Sequence, residues 1–547
     1  MLKFHLLFQL AINQDEFSYL SRVYKYSNGS HIGSLNSFHV HFFSWLSIFG
    51  SNEVIQVIAA RMVMYLFFLG ACFYLFLIAR YYLDITSALF SLLCYLSFVF
   101  TVLNGSSFRH DSIATFFFLF ALYLFLVKKE SIIYNVAAGL AIAIAMVFTI
   151  KSAIHLAVFG GLIVMKLFFS RNFSKTLVSV SGFIFAFLFG FIIIYILHIT
   201  ALPDASIASQ VHAISNAYST FVVTHQFFPQ FKIFKLLLDL DWIIWLFLSS
   251  GTILLIIDCA SKKSNFENTY LFALLIPLFS ILIYRNAFPY FYVFAIPTAT
   301  IFCGYLLRKL TYRIKLKQQI ICFALVLTFG SVVFKNFVTY YSAFYPKQIN
   351  VQHKILEVIH EMFPDPVPYI DGCSMVSTFP GSGFFMSSAG MEGYLKKGES
   401  IMEKLLTLKK PRFLLANVPH LNLHSDDPAK SYIGLSFMTD DWQTLKSYFI
   451  HHWGPIWVAG KHFEFKRGNE NHRFKITVPG LYTVEGNQNV LIDDRLIQTG
   501  DVIKLETGNH IIKNRGSPGL TSLKWGENLY RPAEKPVFDR IFMGPFL

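Results

Sequence analysis

Residues 54–79 read VIQVIAARMVMYLFFLGACFYLFLIA, in which Arg61 is the one charge, and Arg80 closes the run. A helix of this length extends about 39 Å, more than the roughly 30 Å of hydrocarbon in a bilayer. Nine more apolar runs follow in the first 340 residues, at about 86–103, 112–127, 132–149, 153–169, 176–199, 241–257, 270–284, 291–307 and 320–338, several of them short. Composition agrees, since 54% of the 547 residues are apolar and 14% charged, with a mean hydropathy of +0.51. A soluble enzyme would carry about a quarter charged residues. High hydrophobicity excludes disorder, and six Cys in this length exclude a disulfide scaffold.

The net charge of +14 would suggest nucleic-acid binding in a soluble protein. Here the cations cluster in alternate loops: Arg80; Lys128 and Lys129; Arg171 and Lys175; Lys262 and Lys263; then Arg308, Lys309, Arg313, Lys315 and Lys317. The positive-inside rule places these loops in the cytoplasm. Residues 13–53, 104–111, 200–240, 285–290 and everything after about 340 then lie outside. The surplus charge marks topology, and no nucleic-acid partner is expected. For residues 13–53 to be outside, Met1–Ile12 must act as an eleventh span, although twelve helical residues cover only about 18 Å. Such a helix is either shortened by the chosen start codon or enters at a shallow angle and thins the membrane. It lacks the small-residue cleavage site of a signal peptide before Asp15.

The fold expected is therefore an α-helical polytopic membrane domain of about eleven transmembrane helices over residues 1–345, with a first extracytoplasmic loop at 13–53. After Tyr345-Pro346 the chain becomes polar and mixed, as in a water-soluble region. Residues 346–460 read as α/β, with helices near Val351–Met362, Glu399–Leu408 and Trp442–Phe449 and strands at Val367–Ile370 and Arg412–Ala416. Residues 461–547 read as a small β-sandwich. Its alternating runs Arg473–Val478, Leu481–Glu485, Val490–Ile492, Val502–Glu506, His510–Lys513 and Thr521–Trp525 are separated by turn pairs such as Pro479-Gly480 and Asp493-Asp494. Cys373 is the single cysteine of this tail, so no disulfide forms within it, and no C-x-x-C metal spacing occurs. Metal dependence stays open.

Ionisable groups close to a membrane are expensive and therefore informative. Asn13-Gln14-Asp15-Glu16-Phe17-Ser18-Tyr19 places an acidic pair where the outer loop begins. It fits a catalytic carboxylate at the membrane surface, and equally a helix start with Asp15 as N-cap, the better account on local sequence alone. Phe108-Arg109-His110-Asp111-Ser112 precedes another span, with Asp111 in a capping position. Lys151 stands alone at the outer end of two helices, to snorkel or to bind. Tyr284-Arg285-Asn286-Ala287-Phe288-Pro289-Tyr290-Phe291-Tyr292 combines an Arg with interface aromatics. Arg61, about 10 Å into its span, either snorkels or pairs with an acid inside the bundle, and it is counted with Arg109, Lys151 and Arg285 as a candidate phosphate-binding cation. If the helices converge, Arg109, Lys151 and Arg285 suit a phosphate leaving group, and a carboxylate suits removal of a proton from a hydroxyl or amine. His39, His41, His451 and His452 carry no motif. Gly381-Ser382-Gly383 is a turn signal, and Asn28-Gly29-Ser30 and Asn104-Gly105-Ser106 match the glycosylation triplet.

The order of four stretches resembles the GT-C superfamily of membrane glycosyltransferases, in its branch of protein O-mannosyltransferases and lipid A aminoarabinose transferases. They are Asp15-Glu16-x-x-Tyr19, Ala59-Ala60-Arg61-Met62, Arg109-His110-Asp111, and Gly139-Leu140 running to Thr149-Ile150-Lys151, and the resemblance covers about residues 10–310. It implies a polyprenyl-phosphate-linked sugar as donor substrate; no cofactor is assigned, and a divalent metal is left open. It also implies Asp15 as base with Glu16 beside it, Asp111 as a second-site acid, and Lys151 and Arg285 against the lipid phosphate. The family's His-Pro-Pro or Lys-Pro-Pro late in the first loop is replaced by Phe38-His39-Val40-His41. The expected protein is an inverting glycosyltransferase acting on an extracytoplasmic glycan, lipid or protein, in a bacterial inner membrane with a periplasmic tail. Rivals are a polyprenyl-linked glycan flippase, which would favour internal repeats and helices broken at mid-membrane, and a non-catalytic anchor for a carbohydrate-binding tail.

Overall fold

The computed structural model describes residues 2–203, 227–314 and 348–534, less positions 31, 34, 36, 129–130, 171, 262–265, 431–433 and 516–517, together with scattered positions at 319–338 and residues 541–542. Lys129, Arg171, Lys262, Lys263, Lys315, Lys317, most of the 320–338 run and the central part of the 200–240 loop lie outside the described residues.

The helical domain opens with α1 (Leu2–Gln9), α2 (Gln14–Ser27), α3 (His39–Phe43), α4 (Glu53–Tyr82), α5 (Ile85–Ser97), α6 (Val99–Asn104), α7 (His110–Leu126), α8 (Ile132–Phe148), α9 (Ala153–Phe169) and α10 (Phe173–Thr200). A helix at Phe231–Ala260 and a bent pair, Pro289–Ala295 and Pro297–Tyr312 at 60°, follow. Among the described residues four helices are long and apolar enough to cross a membrane, or five if the bent pair is one span, with α5, α7 and α8 shorter. Pro297 stands at the bend, where its ring blocks a continuous helix.

Besides the bent pair, the 270–284 run forms 3-10 turns around a short α-helix at Ile276–Phe279, and two further expected spans differ for a polar reason. The 86–103 run breaks at Phe98, whose ψ of 127° is extended, and the carboxylate of buried Asp241 accepts the freed Val99 N–H at 3.0 Å. The first segment is helical only over Leu2–Gln9, about 12 Å, rather than Met1–Ile12. Lys3 turns its ammonium onto the Thr101 carbonyl at 3.0 Å and that of Val102, serving carbonyls in the last turn of α6. Gly139 allows α8 and α10 to touch, because a Cβ there would stand 2.4 Å from the Phe183 carbonyl oxygen.

In the tail, helices at Gln348–Met362, Ser388–Lys397, Met402–Lys409 and Thr439–Tyr448 surround β1 (Tyr369–Ile370), β2 (Phe413–Leu415), β3 (Phe449–Trp453) and β4 (Ile456–Phe465). The remaining strands are β5 (Asn471–Ile476), β6 (Gly480–Gly486), β7 (Val490–Ile492), β8 (Arg495–Ile497), β9 (Val502–Leu505), β10 (Gly508–Asn514) and β11 (Gly519–Trp525). One sheet runs β1-β2-β4-β11-β6-β9 with β3 also on β4, and the other runs β5-β10-β7-β8. Phe463, Val484, Leu505 and Leu523 of the first meet Phe474, Ile492 and Ile512 of the second in a buried cluster, the sandwich expected from the alternation. Asp493 and Asp494, with φ of 49° and 65°, form the two-residue turn between β7 and β8. β4 pairs with β2 through Ile456–Val458 and with β11 through Gly460–Phe465, so the boundary expected at 460/461 falls inside a strand shared by both regions.

The tail packs against the end of the helical domain that carries α2 and the start of α4. Gln352 bonds both the N–H and the carbonyl of Ile12, at 2.8 and 2.9 Å. Buried Glu53, at the start of α4, accepts from Thr378 Oγ1 at 2.7 Å and contacts His360 at 3.0 Å. Ser377 donates to the Phe17 carbonyl at 3.1 Å. One apolar cluster combines Phe17, Leu20, Val40 and Val57 with Ile355, Ile359 and Val376.

Candidate active site

The acidic pair lies in the first turn of α2, whose N-cap is Asn13 and not Asp15. The Asn13 side chain accepts from the Asp15 N–H at 2.9 Å, and Glu16 returns to the Asn13 N–H at 2.9 Å. This reciprocal capping fixes the turn and sends the two carboxylates to different surroundings. Glu16 is 1% exposed and is bonded by Arg61 Nε at 2.8 Å, Arg61 Nη2 at 2.6 Å and the Phe108 N–H at 2.7 Å. Arg61 also donates to the carbonyls of Leu7, Leu10 and Ala11, at 3.2, 2.7 and 2.9 Å. Its five N–H groups are thereby occupied, so it pairs inside the bundle instead of snorkelling and keeps no donor for the phosphate contact expected of it. Burial raises the Glu16 carboxyl, but Arg61 and the two backbone donors outweigh it and hold the group below the usual carboxylate range.

Asp15, 28% exposed, meets Arg109 Nη1. Arg109 occupies the N-cap position of α7 without capping it, and Asp111 is the second helical residue, so the capping role expected of Asp111 is replaced by ion pairing. Asp111 Oδ1 receives Lys151 Nζ at 2.7 Å and its Oδ2 receives Arg109 Nε at 3.3 Å. Lys151 thus turns inward to a carboxylate rather than out to water. The α2 start, the α7 start and the turn after α8 bring Asp15, Arg109, Asp111 and Lys151 into one chain of alternating charge. Burial works against the charge on Arg109, yet Asp15 and its other neighbours hold the guanidinium well above its usual range. Arg109 Nη2 and two of the three Lys151 hydrogens have no acceptor among the described residues.

Arg285 is not in this chain of charge. It pairs with Glu392 of the Ser388–Lys397 helix, the two being 34% and 41% exposed, while its carbonyl accepts from Gln230 at 2.8 Å. The same Tyr284–Tyr292 loop supplies a residue that the sequence does not single out. The Tyr290 ring centroid is 3.3 Å from Arg109 Cζ and 5.0 Å from Lys151 Nζ. Its signal was present in the aromatic cluster but is hard to separate from an ordinary interface belt. His39, which has no motif, contacts His110 at 3.0 Å, and both pack on Tyr19, with ring centroids 5.1 and 4.4 Å away. Among the described residues no group of three or more His, Cys, Asp or Glu side chains is placed to hold a metal ion.

No protein-family model matches the chain, and no curated protein matches it by sequence. Solved structures do. The Archaeoglobus fulgidus oligosaccharyltransferase in its apo form is 9% identical with a TM-score of 0.54, the match covering 94% of each chain. The archaeal oligosaccharyltransferase AglB from the same organism, in complex with an inhibitory peptide and a dolichol-phosphate, is 11% identical over 93% of this chain and 92% of its own, with a TM-score of 0.52. ArnT from Cupriavidus metallidurans bound to undecaprenyl phosphate is 14% identical over 69% and 72%, with a TM-score of 0.43. The likeness to the oligosaccharyltransferase shows the fold: a domain of apolar helices followed by a β-containing tail.

Proposed function

We propose that this chain is an integral-membrane glycosyltransferase that transfers a sugar from a polyprenyl-phosphate-linked donor to an extracytoplasmic acceptor. The observation that carries this is the half-open chain Asp15–Arg109–Asp111–Lys151 at the outer end of the helical domain. Asp15 is its most exposed member and serves as the base. A carboxylate oxygen of Asp15 takes the proton of the acceptor hydroxyl or amine, and the acceptor atom forms a bond to the anomeric carbon from the face opposite the leaving group. The bond from that carbon to the phosphate oxygen breaks, its electron pair stays on polyprenyl phosphate, and the configuration inverts. Arg109 and Lys151, with donors to spare, meet the charge that develops on the phosphate, so no strong general acid is needed. Asp111 keeps both cations in place. Glu16 and Arg61 hold the turn that carries Asp15, and Arg285 is assigned no contact with the phosphate.

The fold shared with AglB, which holds a dolichol-phosphate, supports a lipid-phosphate substrate. Basic residues at the opposite helix ends, such as Arg80 and the Lys309–Asp258 pair at 2.8 Å, support an extracytoplasmic site, which we assign to the periplasmic face of a bacterial inner membrane. The test is Asp15→Asn in envelope preparations supplied with polyprenyl-phosphate sugars. The variant should insert and fold as the parent does while transferred sugar falls to background. Full transfer would overturn the assignment of the base.

A further inference from the structure

The planar guanidinium of Arg109 has two kinds of surface, an edge that carries its hydrogen-bond donors and two faces that carry none. On the edge, Nε is given to Asp111 and Nη1 to Asp15, while Nη2 has no described acceptor. One face is covered by Tyr290, at 3.3 Å from Cζ to the ring centroid. An aromatic ring in that position restricts the tilt of the guanidinium and attracts its charge without consuming an N–H group. A carboxylate in the same place would take the donors that a phosphate needs. The ring also lies 5.0 Å from the Lys151 ammonium, so one side chain borders both cations assigned to the phosphate.

The position of Tyr290 is itself held. It belongs to the short turn Pro289–Phe291, directly after the Tyr284–Phe288 loop. Gln230 bonds the Arg285 carbonyl in that loop at 2.8 Å, the Arg285 side chain reaches Glu392 of the tail, and the Phe288 N–H returns to the Asn286 carbonyl at 2.8 Å. The ring is thus presented by a loop tied at once to the Phe231–Ala260 helix region and to the soluble tail.

Resting on the glycosyltransferase assignment, we infer that Tyr290 is a positioning residue that orients Arg109, and with it Lys151, for the lipid phosphate. It acts through its ring face rather than its hydroxyl. The consequence is selectivity for the charged headgroup: the site distinguishes a polyprenyl phosphate from the corresponding alcohol because the Arg109 edge is held ready. Loss of the ring leaves both cations paired to Asp15 and Asp111 but no longer holds the Nη2 edge of Arg109 in one orientation.

The experiment measures binding of undecaprenyl phosphate and of undecaprenol to the purified full chain in lipid nanodiscs. Tyr290→Leu should weaken undecaprenyl phosphate about tenfold and leave undecaprenol within about twofold. Tyr290→Phe should recover the discrimination, since the ring is kept. Equal weakening of both ligands in Tyr290→Leu, or no recovery in Tyr290→Phe, would overturn the inference. Lys151→Ala separates this from the parent assignment. If it weakens the phosphate ligand while Tyr290→Leu does not, the positioning role fails and the phosphate site stands. If neither Lys151→Ala nor Arg109→Ala distinguishes phosphate from alcohol, the phosphate site itself fails. A thermal midpoint for Tyr290→Leu close to that of the parent shows that any loss is one of orientation.

Discussion

Two carboxylates one peptide bond apart, Asp15 and Glu16, occupy opposite extremes of environment. Glu16 is sealed under α2 with every donor of Arg61 spent on it and on three carbonyls. Asp15 looks outward, paired to an Arg109 that still has an unused edge. A saturated buried pair fixes geometry and cannot exchange partners, because either charge alone in a dry interior is strongly disfavoured. A partly exposed pair with spare donors can admit a third group. The proposed chemistry is therefore assigned to Asp15, and the anchoring of its turn to Glu16.

The comparison can be broken in order of effect. Arg61→Ala should lower stability by about 3–5 kcal/mol, because it strands a buried carboxylate, and should leave little folded protein by size-exclusion chromatography in detergent. Asp15→Asn should change the thermal midpoint hardly at all, so an unfolding loss as large as that of Arg61→Ala would erase the distinction. Lys151→Ala should fall between them. We expect about tenfold weaker undecaprenyl phosphate binding and a stability loss of about 1–3 kcal/mol from the poorly satisfied Asp111, read by ligand titration and thermal unfolding.

Acidity supplies a finer test. Because the folded-state pKa of Glu16 lies below its unfolded value, its ionised form stabilises the fold above the ordinary carboxylate range, and that contribution is lost as pH falls through the folded value. The stability difference between the parent and Glu16→Gln should accordingly shrink as pH is lowered from neutral into the acid range; a constant gap would remove the pair from the account. The smallest effect is expected at Arg285–Glu392, about a third or more exposed on both sides. Glu392→Ala should cost at most about 1 kcal/mol, and added salt should erase the loss.

Much of this architecture was legible because hydrophobic length and turn chemistry are local properties. The 54–79 run became α4, the 176–199 run became α10, and the alternating runs from Arg473 onward became strands of a sandwich. The helix Ser388–Lys397 was missed because it offers a weak apolar stripe, although Ser387 and Gly398 cap it at its two ends. β3 and β4 were passed over because His451-His452 and Gly454-Pro455 break up the apolar residues of Phe449–Ala459 and leave no regular alternation. The break at Phe98 could not be foreseen either, since it depends on Asp241, which is remote in sequence.

The same division holds at the site. Charge placement along the chain was enough to read a membrane domain and to expect Asp15, Arg109, Asp111 and Lys151 at one level of it, because the desolvation of an ion forbids most other positions for it. Which of these side chains meet was decided only by the fold. Helix starts and ends separated by tens of residues converge to join Asp111 to Lys151, Glu16 claims Arg61, Arg285 turns to the tail, and Tyr290 covers Arg109. Partner choice among charges is settled by distance and burial in three dimensions, and neither quantity is carried by spacing along a chain.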